Sequence, residues 1–144
     1  AAISGYTEFG GGGGRMDGRS TSSTHVGAGG EVGVAGRDFV GAFRIGVRGD
    51  HFHRKGLDGY GASSTVIGGT IGHPYVALKF SGALGDRYEF GTIGLTVLQT
   101  ADVGCQFLGP KKGAPAPESP VPDGWTCGVG LTLNLPLIPL ARDR

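Results

Sequence analysis

The side chains of this 144-residue chain that carry reactive or ligating groups are few and dispersed. His51 and His53 stand two apart, so on a strand they share one face and offer two imidazoles at a metal-compatible spacing. No third ligand accompanies them, and they read as exposed histidines where a strand becomes a loop. Ser23, Thr24 and His25 put a hydroxyl beside an imidazole, but no nucleophile elbow or pair of carboxylates completes a catalytic set. Gly10 to Gly14 resemble a phosphate-cradling loop in composition only. Such a loop needs a following helix N-terminus and usually Lys-Ser/Thr, whereas Arg15-Met16-Asp17-Gly18 follows, so the run reads as a glycine-lined strand. Arg48-Gly49-Asp50 has the form of an integrin-type tripeptide but falls inside a strand pattern. These fragments define no reaction, and the expectation is a protein without enzymatic activity or cofactor.

The remaining chemistry is structural. Cys105 and Cys127 fall on the last two strands of the pattern described below, on the same face by parity, flanking a Pro-rich segment. That placement predicts a cross-strand disulfide closing a loop of about twenty residues, with roughly 3 kcal/mol of stabilisation by loop entropy. Two buried thiols are the alternative.

Composition bounds the elements that hold these residues. The chain has 31 Gly and 8 Pro, with 17% charged and 38% hydrophobic residues. Five of the prolines lie between Pro110 and Pro122, and elsewhere apolar and small residues alternate steadily, which a disordered chain would not do. One domain over 1–144 suits the length. No apolar run reaches the length of a transmembrane helix, and helix formers at 3.6 spacing are missing. Thirteen Lys and Arg against twelve Asp and Glu give a net charge of +1 with no basic stripe, so nucleic acid is not an expected partner.

Period-two alternation marks eight strands. The clearest runs from Phe39 to His53, with Phe39, Phe43, Ile45 and Val47 on one face and Arg44, Gly46, Arg48 and Asp50 on the other. The closing strand alternates Trp125, Cys127, Val129, Leu131, Leu133 and Leu135 with Thr126, Gly128, Gly130, Thr132 and Asn134. Others run near 3–14, 25–34, 62–72, 76–84, 88–98 and 103–107. The links alternate in character. Residues 16–20, 54–61, 85–88 and 109–124 form one set, and 37–38, 73–75 and 99–101 form a shorter one. This predicts an all-β, antiparallel up-and-down β-barrel of about eight strands, with longer loops at one end and tight turns at the other, leaving no exposed edge. Pro136 and Pro139 interrupt the closing strand, so it is expected to end near Leu135 with a short tail, or the chain to use another assembly route.

Alternation does not say which face is inside; residue size does. The less apolar face is dominated by small residues, among them Gly27, Gly29, Gly46, Ser63, Ala77, Gly94, Gly104 and Gly128. These suit the narrow lumen of an eight-stranded barrel better than a solvated surface. Glu8, Glu31, Asp50 and Glu89 stand at polar-face positions with Arg44, Arg48 and Lys79. In a lumen such charges must pair. The opposite face carries Val, Leu, Ile and Phe, with Phe39, Tyr75 and Trp125 near strand ends like an aromatic girdle.

In strand count, short turns against long loops, a small charged lumen and an alternating apolar last strand, the chain resembles the small eight-stranded outer-membrane β-barrels, the group that includes the transmembrane domain of OmpA and OmpX. The resemblance is architectural. It implies a bacterial outer-membrane location, the lipid bilayer as partner, and a structural or docking role among other envelope proteins, with a lumen too full to conduct solutes freely. Lys111, Lys112, Pro115, Pro117 and Pro120 in the loop at 109–124 are then the expected contact surface. The alternatives are a soluble secreted or periplasmic barrel around a small apolar ligand and a lipid-modifying barrel enzyme.

Overall fold

A computed structural model describes residues 1–56, 59–84, 88–113 and 121–139. Eight strands follow one another: β1 (Ala2–Met16), β2 (Arg19–Ala35), β3 (Val40–Arg54), β4 (Tyr60–Gly72), β5 (Val76–Leu84), β6 (Tyr88–Val97), β7 (Ala101–Pro110) and β8 (Gly124–Pro139). Each pairs antiparallel with its sequence neighbours, and β8 pairs back onto β1, so the sheet closes as an up-and-down barrel. Every strand has two partners, which removes the open edges that invite aggregation.

The wall is uneven in height. β1, β2, β3 and β8 pair over long registers, as from Ala2↔Gly33 to Met16↔Arg19, whereas β5 pairs β4 only from Thr65↔Leu84 to Gly72↔Ala77. The links differ from the expected pattern in more than one place: four residues, 36–39, join β2 to β3, and the link between β5 and β6 is no longer than those between β4 and β5 or β6 and β7. β1 and β2 are joined by Asp17 and Gly18 alone, with φ of 52° and 72°. This is the left-handed pair that a two-residue hairpin needs, and Asp-Gly supplies it at little steric cost. Length asymmetry is therefore carried by the links after β3 and β7. We call the end bearing them the loop end and the other the turn end.

β8 also departs from expectation. It does not stop near Leu135 but runs to Pro139, pairing Ile3↔Ile138 and Ser4↔Pro136 across an irregularity between Ile3 and Ser4. Its pairing with β7 ends at Ala101↔Leu131, so beyond that point one side of β8 has no ladder partner. A proline there deprives no neighbour of a donor, and that overhang is why the strand tolerates two.

Closure separates the two faces by size. A Cβ on Gly12 would lie 2.7 Å from Gly128 Cα, and one on Gly128 would lie 2.5 Å from Gly12 Cα. Both point into the lumen at the β1–β8 seam, where curvature brings the strand backbones together and only glycine fits. The outward face carries the large apolar side chains, including Val26, Val34, Phe43, Ile45, Ile71, Phe80, Ile93, Val103, Val129 and Leu135, all exposed. The inward face buries Glu8, Arg44, Arg48 and Asp50.

Candidate functional site

Among the described residues, the lumen is where the fold gathers polar chemistry from most of its strands, and it is layered. Nearest the turn end, Arg44 of β3 pairs with Glu31 of β2, its register partner, and its guanidinium lies 4.8 Å from the centre of the Tyr6 ring. The planar cation is held by a carboxylate and an aromatic face together.

The middle layer joins the remaining charges. Lys79 Nζ of β5 donates to Glu8 Oε2, Asp102 Oδ2 and Thr132 Oγ1, each at 2.9 Å. Glu8 also faces Arg48, whose Nη1 is 3.9 Å from Glu8 Oε1. Arg48 donates Nη2 to Asp50 Oδ1 at 2.9 Å and Nε to Asp50 Oδ2 at 3.1 Å, and Nη2 also donates to Gln106 Oε1. Asp50 precedes and faces the same way as Phe52, two residues on, so the Arg48–Asp50 pair is a same-face pair along one strand. Two cations thus hold three carboxylates, and each charge removed from water is met by charge or hydrogen bond, as burial demands. The Arg48-Gly49-Asp50 tripeptide is spent inside the lumen, with Arg48 and Asp50 both buried.

Toward the loop end the lumen becomes apolar. Met16, Phe52, Phe90, Leu108 and Val121 form a buried cluster, flanked by Tyr60, Ala83 and Tyr88. The Arg48 guanidinium lies 5.1 Å from the Phe90 ring centre, so the charged layer touches the floor of this plug.

The residues expected from the sequence distribute as follows. Glu8, Arg48 and Lys79 meet in one network, while Glu31 and Arg44 form a separate pair below it. Glu89 does not join them. It shares the outward parity of Ile93 and is exposed. Ser63 likewise faces out, and Ser64 takes the lumen position, because Ile67 and Ile71 set the outward parity of β4. Cys105 and Cys127 are register partners joined by a disulfide, their Cα atoms 4.0 Å apart, on the outward face of β7 and β8. His51 and His53 are exposed near the end of β3. Lys111 and Lys112 are exposed beyond β7, whereas Pro115, Pro117 and Pro120 lie outside the described residues.

Sequence reasoning missed Asp102, Gln106 and the whole apolar plug. Asp102 was signalled by parity, since it alternates with outward Val103. The plug was signalled by apolar residues at inward parity: Phe52 against Phe43, Ile45 and Val47, Phe90 against Ile93, and Leu108 against Phe107.

The fold and lumen define a closed eight-stranded antiparallel β-barrel, apolar outside and ion-paired within. Comparison of the chain with protein-family models, curated proteins and solved structures returns no match. Its functional reading therefore rests on its own geometry.

Proposed function

We propose that this chain is an integral outer-membrane β-barrel with a structural or partner-docking role in the cell envelope, including service as an accessory subunit of a larger envelope assembly. The observation that carries the reading is the inversion of polarity. Large apolar side chains ring the outside of a closed barrel, while its carboxylates and guanidinium groups pair inside. A water-exposed apolar belt of that extent would drive association, whereas lipid solvates it.

Dimensions support the same reading. On β2 the outward positions from Val26 to Val34 are apolar or small. That stretch corresponds to a band about 20 Å tall at the usual strand rise and a tilt of about 40°. Above it, toward the loop end, the outward residues turn polar: Ser20, Ser22 and Thr24 on β2, His51 and His53 on β3. Trp125 stands exposed near the loop end of the band, and Phe39 and Tyr75 stand exposed at the turn end, where interfacial aromatics belong. A soluble barrel around an apolar ligand needs the opposite assignment of faces.

The test is fractionation of host membranes followed by gel mobility of the extracted protein with and without boiling. Partition into the outer membrane, dependence on detergent and a heat-dependent mobility shift are expected. A protein that stays dispersed in buffer without detergent overturns the proposal.

A further inference from the structure

We infer that the lumen is a hydrated half-channel, entered from the turn end and sealed beneath the loop end by the apolar plug rather than by the ion pairs. Three observations carry this. First, buried polar atoms without a protein partner accumulate on the turn-end side and in the middle: Arg44 Nη1, Thr70 Oγ1, Asn134 Oδ1, Asp102 Oδ1 and Gln106 Nε2. Each costs free energy unless water meets it. Second, a cavity of about 80 Å³ lies against the glycine wall of Gly12, Gly94, Gly104 and Gly128, facing Asp102 and Gln106. That is room for several waters, and donors and acceptors line it, the two conditions for stable internal hydration. Third, the charged side chains of the turn-end pair and the middle layer keep more exposure, 11% and 13% at Arg44 and Glu31 and 18% and 17% at Lys79 and Asp102, than Arg48 and Asp50 beside the plug, at 6% and 2%. Exposure reaches zero at Met16 and Phe52.

The glycine wall explains why the space exists. Gly12, Gly128, Gly104 and Gly94 are consecutive register partners across β1, β8, β7 and β6, so four adjacent strands present bare backbone to the lumen at one level. Lys79 follows as the partner of Gly94 and reaches across to Glu8 and Asp102. Water fills what the glycines leave open. It stops where Phe90, Leu108 and Phe52 close the lumen with side chains that offer water no partner. The occupant is therefore water, and removing the plug converts the half-channel into a through-pore.

Single cysteines read both halves of the inference, because the two native cysteines are joined to each other. Gln106→Cys and Asn134→Cys, each in the disulfide-intact folded barrel, are treated with a small cationic methanethiosulfonate and compared with Leu108→Cys. The first two are expected to react at least about tenfold faster than the third, whose labelling requires local opening. Gln106→Cys as protected as Leu108→Cys overturns the half-channel. This labelling proceeds in detergent or in buffer, so it reads the lumen even where the membrane assignment fails. The seal is tested in planar bilayers. The parent barrel is expected to be silent and the Phe52→Ser/Leu108→Ser variant to conduct potassium chloride. A variant that keeps its heat-dependent mobility yet stays silent overturns the plug as the seal. Should that pair of changes prevent folding, Met16→Ser alone is expected to raise labelling of Gln106→Cys by a reagent too bulky for the turn-end mouth, and no increase counts against the seal.

Discussion

At the loop end Met16 and Phe52 fill the lumen with apolar side chains that water does not reach, while one layer below, Arg48, Asp50, Glu8 and Lys79 fill it with paired charges. Both layers occupy the inside of the same barrel, yet they are built on different physics. The plug gains from every apolar group it buries and is indifferent to the identity of neighbours beyond their shape. The charged layer gains little from burial itself, because desolvation offsets most of the attraction between its members, but it penalises any arrangement that leaves one member alone. The plug therefore supplies adhesion and the seal, and the charged layer supplies specificity. A one-residue slip of β3 against β2 or β4 would turn Arg44, Arg48 and Asp50 outward, where no partner waits.

The largest expected effect comes from breaking the charged layer on one side. Arg48→Met removes the partner of Asp50 and a neighbour of Glu8, and urea unfolding followed by Trp125 fluorescence should show a loss of about 3–5 kcal/mol. Adding Asp50→Leu should recover much of that loss, since replacing both members of a buried pair is far milder than removing one. A double variant no more stable than the single would mean that Arg48 acts by packing on Phe90, and the contrast between layers would lose its basis.

In the plug, Phe52→Ala should cost about 3 kcal/mol, with Phe52→Leu nearer 1 kcal/mol, because cavity size and not charge sets the penalty there. No second neutralising substitution should rescue it. Cys105→Ser together with Cys127→Ser tests a contribution that belongs to neither layer. The bridge spans 22 residues of sequence on the outward face, so its loss should cost about 3 kcal/mol, acting mainly through the unfolded chain and leaving the accessibility of lumen cysteines unchanged.

The smallest effect lies at the turn end. Leu98 and Gln99 both take φ above +50° in the β6–β7 turn, where Thr100 N–H bonds Val97 O and Leu98 N–H bonds Tyr75 O. Leucine is poorly suited to that region and asparagine tolerates it. Leu98→Asn should therefore raise stability by about 0.5 kcal/mol in the same unfolding assay, with no change in the lumen.

Much of this structure was legible in the residues. The outward face could be read strand by strand from Phe43, Ile45 and Val47 or from Val129, Leu131 and Leu133, because a period of two is a property of the extended backbone alone. The disulfide was legible because parity and the distance of each cysteine from the intervening loop place them opposite each other. The plug was not read, although its signal was present, because each of its members is a single apolar residue on an otherwise polar face. Met16, Phe52, Phe90, Leu108 and Val121 become a cluster only when five separate places in the chain are brought to one end of one lumen.

The sequence by itself determined the strands, their two faces and the residues barred from the crowded side, since alternation and side-chain size act locally. Which face is concave is tied to that size, because closing a sheet of eight strands leaves less room inside than outside. The tertiary structure alone decided who meets whom. Lys79 finds Glu8 71 residues away and Asp102 23 residues away, and Arg48 finds Gln106 58 residues away. Those partnerships depend on register and on the reach of side chains across the barrel, which follow from closure of the whole sheet and from no segment of it.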